Sequence, residues 1–157
     1  MDDRELEQMI ETYYNEIFAY CCRHVPDREQ AQDLTQTAFL RLWQNRARYI
    51  HRGKLKNYLY TIAGNLCRDW YRSKKPLALD DLPEEPAFQE DRDIALAVRT
   101  ALTALPFAQR DLVLLSFYQG FTVREIADVT HLPVPTVRYR LQKATQHLKD
   151  LLEEELQ

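Results

Sequence analysis

With 157 residues, the chain has room for one ordinary domain or two small ones. An apolar fraction of 45% fits a globular protein, and only three glycines argue against a turn-rich β fold. A net charge of −3, no apolar run near the ~20 residues of a membrane span and an acidic N-terminus unlike a signal peptide predict no membrane insertion and no secretory leader.

Cys21, Cys22 and Cys67 are odd in number, and two of them are adjacent and poorly placed to pair, so a reducing cytoplasm is the simplest setting. Cys21, Cys22 and His24 could be a fragment of a metal site, but no matching ligand pair follows. Packing along a helix accounts for them, and no metal or cofactor is expected.

The charge is segregated along the chain. From Arg46 to Lys75 nine bases face a single acid, Asp69, whereas the stretches on either side are acidic. A local field of this kind can serve a nucleic acid despite the negative total.

The first helix is predicted over Glu5–His24, with Leu6, Ile10, Tyr13, Ile17 and Cys21 recurring at helical spacing, and Tyr20 and His24 beside them. Pro26 and Asp27 end it and start a second helix from about Arg28 to Arg46. There Ala31, Leu34, Ala38 and Leu42 form the inner stripe. The far side carries Asp33, Gln36, Thr37, Leu40 and Gln44, an apolar centre with a polar rim suited to docking a protein.

Tyr49–Gly53 reads as a loop, followed by a third helix from about Lys54 to Ser73. Leu55, Leu59, Ile62, Leu66 and Trp70 face inward, although Trp70 could also serve as a stacking platform. The expected outer face holds Asn57, Tyr60, Gly64, Arg68, Tyr71 and Lys75, with Asn65 and Arg72 at one edge. Bases interleaved with aromatics and amides suit single-stranded nucleic acid, where cations follow phosphates and flat groups meet unstacked bases. A plain solvated basic face is the other reading.

Pro76–Asp91 has three prolines, six acids and no glycine, and reads as an extended linker. Its 16 residues reach at most on the order of 50 Å, comparable to roughly 15 base pairs of duplex. The predicted domains are therefore 1–75 and 92–157, joined by 76–91.

The second domain opens with a helix over Ile94–Leu105, burying Ile94, Ala97, Val98, Ala101, Leu102 and Leu105. Another starts at Pro106 and ends at Gly120, a residue able to take the left-handed conformation of a helix terminus. Thr122 and Glu125 then form a T-x-x-E capping box for a short helix that carries Ile126 and Ala127 inward. A turn through His131, Leu132 and Pro133 leads to a last helix beginning near Pro135.

At about 100° per residue, Val137, Leu141, Ala144 and Leu148 share one side of this helix. Pro135, Tyr139, Gln142, Lys143 and Gln146 share the other, flanked by Thr136, Arg138 and Arg140. Long donors and cations on a helix braced by a short one are the layout of a helix-turn-helix, whose second helix enters the major groove. A plain αα-hairpin with a charged face is the alternative. The fold class is all-α: two small helical domains, the second with a helix-turn-helix.

The order of these parts resembles the extracytoplasmic-function (group IV) sigma factors of bacterial RNA polymerase. DLTQTAFLRLW (Asp33–Trp43), YLYTIAGNLCRDWYR (Tyr58–Arg72), the acidic linker and ALTALPFAQRDLVLLSFYQGFTVREIADVTHLPVPTVRYRLQKA (Ala101–Ala144) carry the likeness across essentially the whole chain. The resemblance implies a promoter-specificity subunit without catalytic activity. Asp33, Gln36, Thr37, Leu40 and Gln44 would meet the β′ clamp of core RNA polymerase, and the second domain would meet the β flap. Tyr49, Arg52, Lys54, Lys56 and Asn57, with Asn65, Arg68, Arg72 and Lys75, would hold the opened −10 strand. Thr136, Arg138, Tyr139, Arg140, Gln142 and Lys143 would read the −35 duplex, and an anti-sigma protein is implied as regulator.

Several residues depart from the family pattern. Thr37 stands where an acid is common, Pro135 replaces a usual glycine, His131 sits where glycine is frequent, and Tyr139 replaces a typically small residue. A stand-alone helix-turn-helix regulator is the alternative reading; it leaves the DLTQ helix without a task. An enzyme is not expected, because no phosphate loop, metal-spaced set or nucleophile motif is present.

Overall fold

The computed structural model describes residues 2–49, 54–74 and 92–156, with backbone only for Tyr49 and Arg92. These comprise helices α1 (Asp3–His24), α2 (Arg28–Gln44), α3 (Arg46–Tyr49), α4 (Leu55–Ser73), α5 (Arg92–Ala104), α6 (Phe107–Val113), α7 (Val123–Thr130) and α8 (Val134–Glu155). A π-helical stretch, Leu114–Tyr118, continues α6, and no strand occurs among the described residues. The expected linker and most of the expected Tyr49–Gly53 loop lie outside them. Tyr49 itself belongs to α3, a short helix beyond the turn at Asn45 that ends α2 earlier than the apolar pattern predicts.

Local chemistry sets the helix ends. Asp2 and Glu5 form a capping box on α1, with Asp2 Oδ1 accepting from the Glu5 amide at 2.8 Å, and Asp27 accepts from the Glu29 amide at 2.9 Å to start α2. The Thr122–Glu125 box of α7 forms as expected, with both reciprocal bonds present at 2.9 and 3.2 Å. Gly120 has φ 74°, and His131, which closes α7, is left-handed at φ 59°. That region is tolerated by His better than by most residues but favours Gly.

The front module packs α1, α2 and α4 around Ile17, Cys21, Ala38, Leu42, Leu59 and Cys67; the rear one packs α5 to α8 around Leu112, Leu115, Ile126, Val137 and Ala144. Arg110 is buried because α5 needs it. Its guanidinium donates to the carbonyls of Leu102 (2.9 Å), Leu105 (2.9 Å) and Thr103 (3.2 Å), at and just beyond the end of α5, where the intrahelical ladder runs out.

The two modules share one contiguous apolar cluster. An aromatic seam joins them: the Tyr60 and Phe121 rings meet edge-on at 4.7 Å, and His24 stacks on Phe107 at 4.3 Å. Two expectations are corrected here. Tyr60 and Gly64, assigned to the outer face of α4, are buried, since α4 lies against the rear module as well as its own. Ile94, expected inside, is 56% exposed, because α5 turns its Ala97–Ala101–Leu105 side to the core.

Candidate nucleic-acid interface

The outer face of α2 stands as the helical phase predicts. Asp33, Gln36, Leu40 and Gln44 are exposed and Thr37 is half-buried. Leu40, 54% exposed, sits on the rim of an apolar groove of about 350 Å³ between α1 and α2. Leu6, Ile10, Tyr14, Gln36, Phe39 and Trp43 complete its lining. Reading α2 alone misses this groove; the Gln36–Leu40–Trp43 spacing on one side of the helix was the available signal.

The N-terminal half of α4 differs from expectation. Asn57 Nδ2 donates to Asp128 Oδ2 of α7 at 2.8 Å, and Lys54 Nζ lies 3.5 Å from Asp128 Oδ1. Thr61 Oγ1 donates to the carbonyl of Val129 at 2.7 Å. Lys56 is drawn sideways, its amino group 3.5 Å from Glu16 and over the rings of Phe121 (5.2 Å) and Tyr13 (5.7 Å). Asn65, Arg68 and Arg72 remain exposed. Arg52, Lys75 and the side chain of Tyr49 lie outside the described residues. Trp70 is half-buried against the core and beside Tyr71, as its phase predicts.

Polar groups at the junction form a second cluster that sequence reasoning did not single out. Asp111 on α6 accepts from the Tyr20 hydroxyl and lies 2.8 Å from His24 Nε2, both on α1. Gly64 makes room for it: a Cβ there would come within 2.9 Å of the Tyr20 hydroxyl. Gln119, just after the π-helical stretch, meets the Tyr60 hydroxyl at 2.7 Å and accepts from Arg23 Nη1 at 2.8 Å.

Burial pulls the His24 imidazole below its ordinary range, outweighing the Asp111 carboxylate, which favours the charged form. Burial likewise holds the phenols of Tyr20 and Tyr60 in the protonated state. Such groups, isolated in the sequence, become a site only when the modules meet.

The outward face of α8 is open. Arg138, Tyr139, Arg140, Gln142 and Lys143 are exposed and Thr136 is half-buried, while Val137 and Ala144 are fully buried on the opposite side. Lys143 Nζ lies 5.6 Å over the Tyr139 ring, which is 62% exposed. Neither Arg138 nor Arg140 makes an ion pair among the described residues. No side-chain hydrogen bond caps the start of α8, behind Pro133. No helix among the described residues is long and apolar enough to cross a membrane.

Comparison with known proteins bears on both modules. Sigma-70 region 2 matches residues 9–76, and Sigma-70, region 4 matches residues 95–148. The RNA polymerase sigma-E factor of Streptomyces coelicolor is 30% identical over 154 residues, covering 94% of this chain and 86% of that protein. The ECF RNA polymerase sigma factor SigW of Bacillus subtilis is 24% identical, covering 96% and 90%.

Among solved structures, CnrH, in complex with the cytosolic domain of CnrY, has a TM-score of 0.78 at 20% identity, covering 98% of this chain and 90% of that one. The sigma factor RpoE of Bartonella quintana, in complex with the anti-sigma factor NepR, gives 0.76 at 19%, covering 96% and 98%. With region 2 on the front helices, region 4 on the helix-turn-helix and sigma factors aligned along nearly the full length, the chain belongs to the extracytoplasmic-function sigma factors of the sigma-70 family, promoter-specificity subunits of RNA polymerase.

Proposed function

We propose that the three surfaces divide the work of promoter recognition. The α2 face of Asp33, Gln36, Thr37, Leu40 and Gln44 docks on the β′ clamp of core polymerase, with Leu40 and the adjoining groove as apolar centre. Thr136, Arg138, Tyr139, Arg140, Gln142 and Lys143 read the −35 duplex from the major groove. Tyr49, Arg52, Lys54, Lys56, Asn57, Asn65, Arg68, Arg72 and Lys75 hold the opened −10 strand. The front domain is 1–75, the linker 76–91 and the rear domain 92–157, whose other face meets the β flap.

The observation that carries this reading is the open face of α8. Exposed cations and amides there are backed by a buried Val137–Ala144 stripe that sets the helix at a fixed angle on α7. The protein works in the cytoplasm as a binding subunit without catalytic chemistry. An anti-sigma protein restrains it, a reading supported by the anti-sigma partner of the RpoE structure.

Run-off transcription with core polymerase on a randomised −35/−10 library tests the proposal. One enriched bipartite motif is expected, lost with Leu40→Asp and altered upstream with Tyr139→Ala. Transcription that proceeds equally from all templates, or never exceeds that of core polymerase alone, overturns it.

A further inference from the structure

One cavity of the molecule contains none of the residues assigned to polymerase, to the opened strand or to the duplex. It holds about 260 Å³ where the end of α1 meets α5, and its walls include Arg23 of α1, Tyr71 of α4, Val98, Arg99 and Leu102 of α5 and Tyr118 of the π-helical stretch. We propose that this cavity binds a small planar carboxylate, a ligand of the benzoate class.

Its charge favours an anion. Two guanidiniums line the cavity, and no carboxylate does among the described residues. Arg23 has a neutral partner, its Nη1 donating to Gln119 Oε1 at 2.8 Å. Arg99 is half-buried and makes no ion pair among the described residues. A third guanidinium, that of Arg110, lies over the Tyr71 ring at 4.7 Å and gives its donors to carbonyl groups rather than to an acid. A partly dehydrated arginine gains most from an anion that accepts two of its N–H donors at once, and a carboxylate has that geometry.

The other walls favour a flat, apolar body behind the acid group. Arg23 lies over the Tyr118 ring at 4.7 Å, as Arg110 does over Tyr71, so flat cations and flat aromatics already alternate around the cavity. Val98 and Leu102 add aliphatic surface. Inorganic phosphate would leave the rings and aliphatic groups without a partner, whereas an aromatic acid meets both kinds of wall. Volume limits the size: ligand sites run from roughly 300 to 1,000 Å³. This cavity lies just below that span, with room for a single ring and its acid group but not for a nucleotide.

The walls come from both modules, so the site exists only while α5 lies beside α1. An occupant therefore acts on the joint between the modules and touches neither DNA-reading face.

The test is isothermal titration calorimetry of the full-length protein with benzoate, cyclohexanecarboxylate and inorganic phosphate at constant ionic strength. Cyclohexanecarboxylate keeps the charge of benzoate and loses the flat ring. Arg99→Gln removes the unpaired guanidinium, and Ala95→Phe plugs the cavity, which Ala95 also lines, without a change of charge. Arg124→Gln, at an exposed position on α7, is the matched control. Circular dichroism checks that each variant keeps its helices.

Benzoate should bind at a single site with a Kd on the order of 1 mM or tighter, as a one-ring ligand can. Phosphate and cyclohexanecarboxylate should bind about tenfold more weakly or worse, and Arg99→Gln and Ala95→Phe should each weaken benzoate by about tenfold or more, the scale of a lost charge-assisted hydrogen bond. Arg124→Gln should bind as the wild type does. If Ala95→Phe loses its helices, Arg99→Gln decides. Absence of benzoate binding, or binding that survives Arg99→Gln, overturns the site. Equal affinity for benzoate and either comparison anion overturns the planar carboxylate as its ligand, and equal weakening by Arg124→Gln overturns its location.

Discussion

Helices α4 and α8 carry similar messages in sequence and meet different fates in the fold. Each has a clean apolar stripe and an opposite face of cations, amides and tyrosines. On α8 that face is open to solvent, whereas on α4 its middle is sealed: Tyr60 is fully buried and Asn57 is bonded to α7. Periodicity reports which side of a helix its own module buries. It is blind to a second partner arriving from elsewhere in the chain, because that partner needs polar and aromatic groups as much as DNA does.

The largest expected contrast comes from one residue type at the two sites. Tyr60→Ala removes a buried ring from the seam and should cost about 3–5 kcal/mol in chemical denaturation. Tyr139→Ala should change stability by no more than about 0.5 kcal/mol while weakening and re-specifying −35 duplex binding. Equal stability losses at both would dissolve the distinction.

Gly64→Ala sharpens it further, since the new methyl forces the Tyr20 hydroxyl away from Asp111. A loss of about 1–3 kcal/mol is expected, against almost none for Gln142→Ala on the open helix, both read by urea titration.

Acid should loosen the α4 junction and spare the α8 face. His24 is enclosed by Tyr20, Asp111, Phe107 and the carbonyl-bound Arg110, and its pKa is lowered by burial, so the closed form prefers the neutral ring. Its contribution is complete above the ordinary histidine value of 6.5 and declines as pH falls from there towards the lowered value. Scattering between pH 7.5 and 5.5 (values near the ~6.5 of free histidine) should show expansion on the acid side, reduced in His24→Phe.

The smallest effect belongs to the helix-turn-helix corner. His131→Gly relieves a left-handed non-glycine residue, and a gain of up to about 1 kcal/mol in thermal unfolding is expected without change in DNA preference.

Most of the helices were legible because they depend on near neighbours. Asp27 and Thr122 announce starts, Gly120 an end, and the α2 and α8 faces emerge at the phases their apolar residues set, whereas the Asp2 cap starts α1 two residues before the expected Glu5. Longer-range features were not. Asp111 gives no hint in sequence that Tyr20 and His24, some 90 residues earlier, will converge on it, and Arg110 reads as one more surface cation until the end of α5 claims it. Ile94 misled for the opposite reason, matching the helical stripe at a point where it stays exposed.

The π-helical stretch at Leu114–Tyr118 has a consequence for how such proteins can diverge. Its wide turn, closed by the Gln119 amide on the Leu114 carbonyl at 2.9 Å, holds one surplus residue compared with an α-turn. Removing that residue would rotate everything downstream by roughly 100° and carry Gln119 away from Tyr60. The angle between the two halves is thus written in residue count as well as residue identity. A one-codon deletion could re-aim the duplex reader more drastically than any single substitution on its surface.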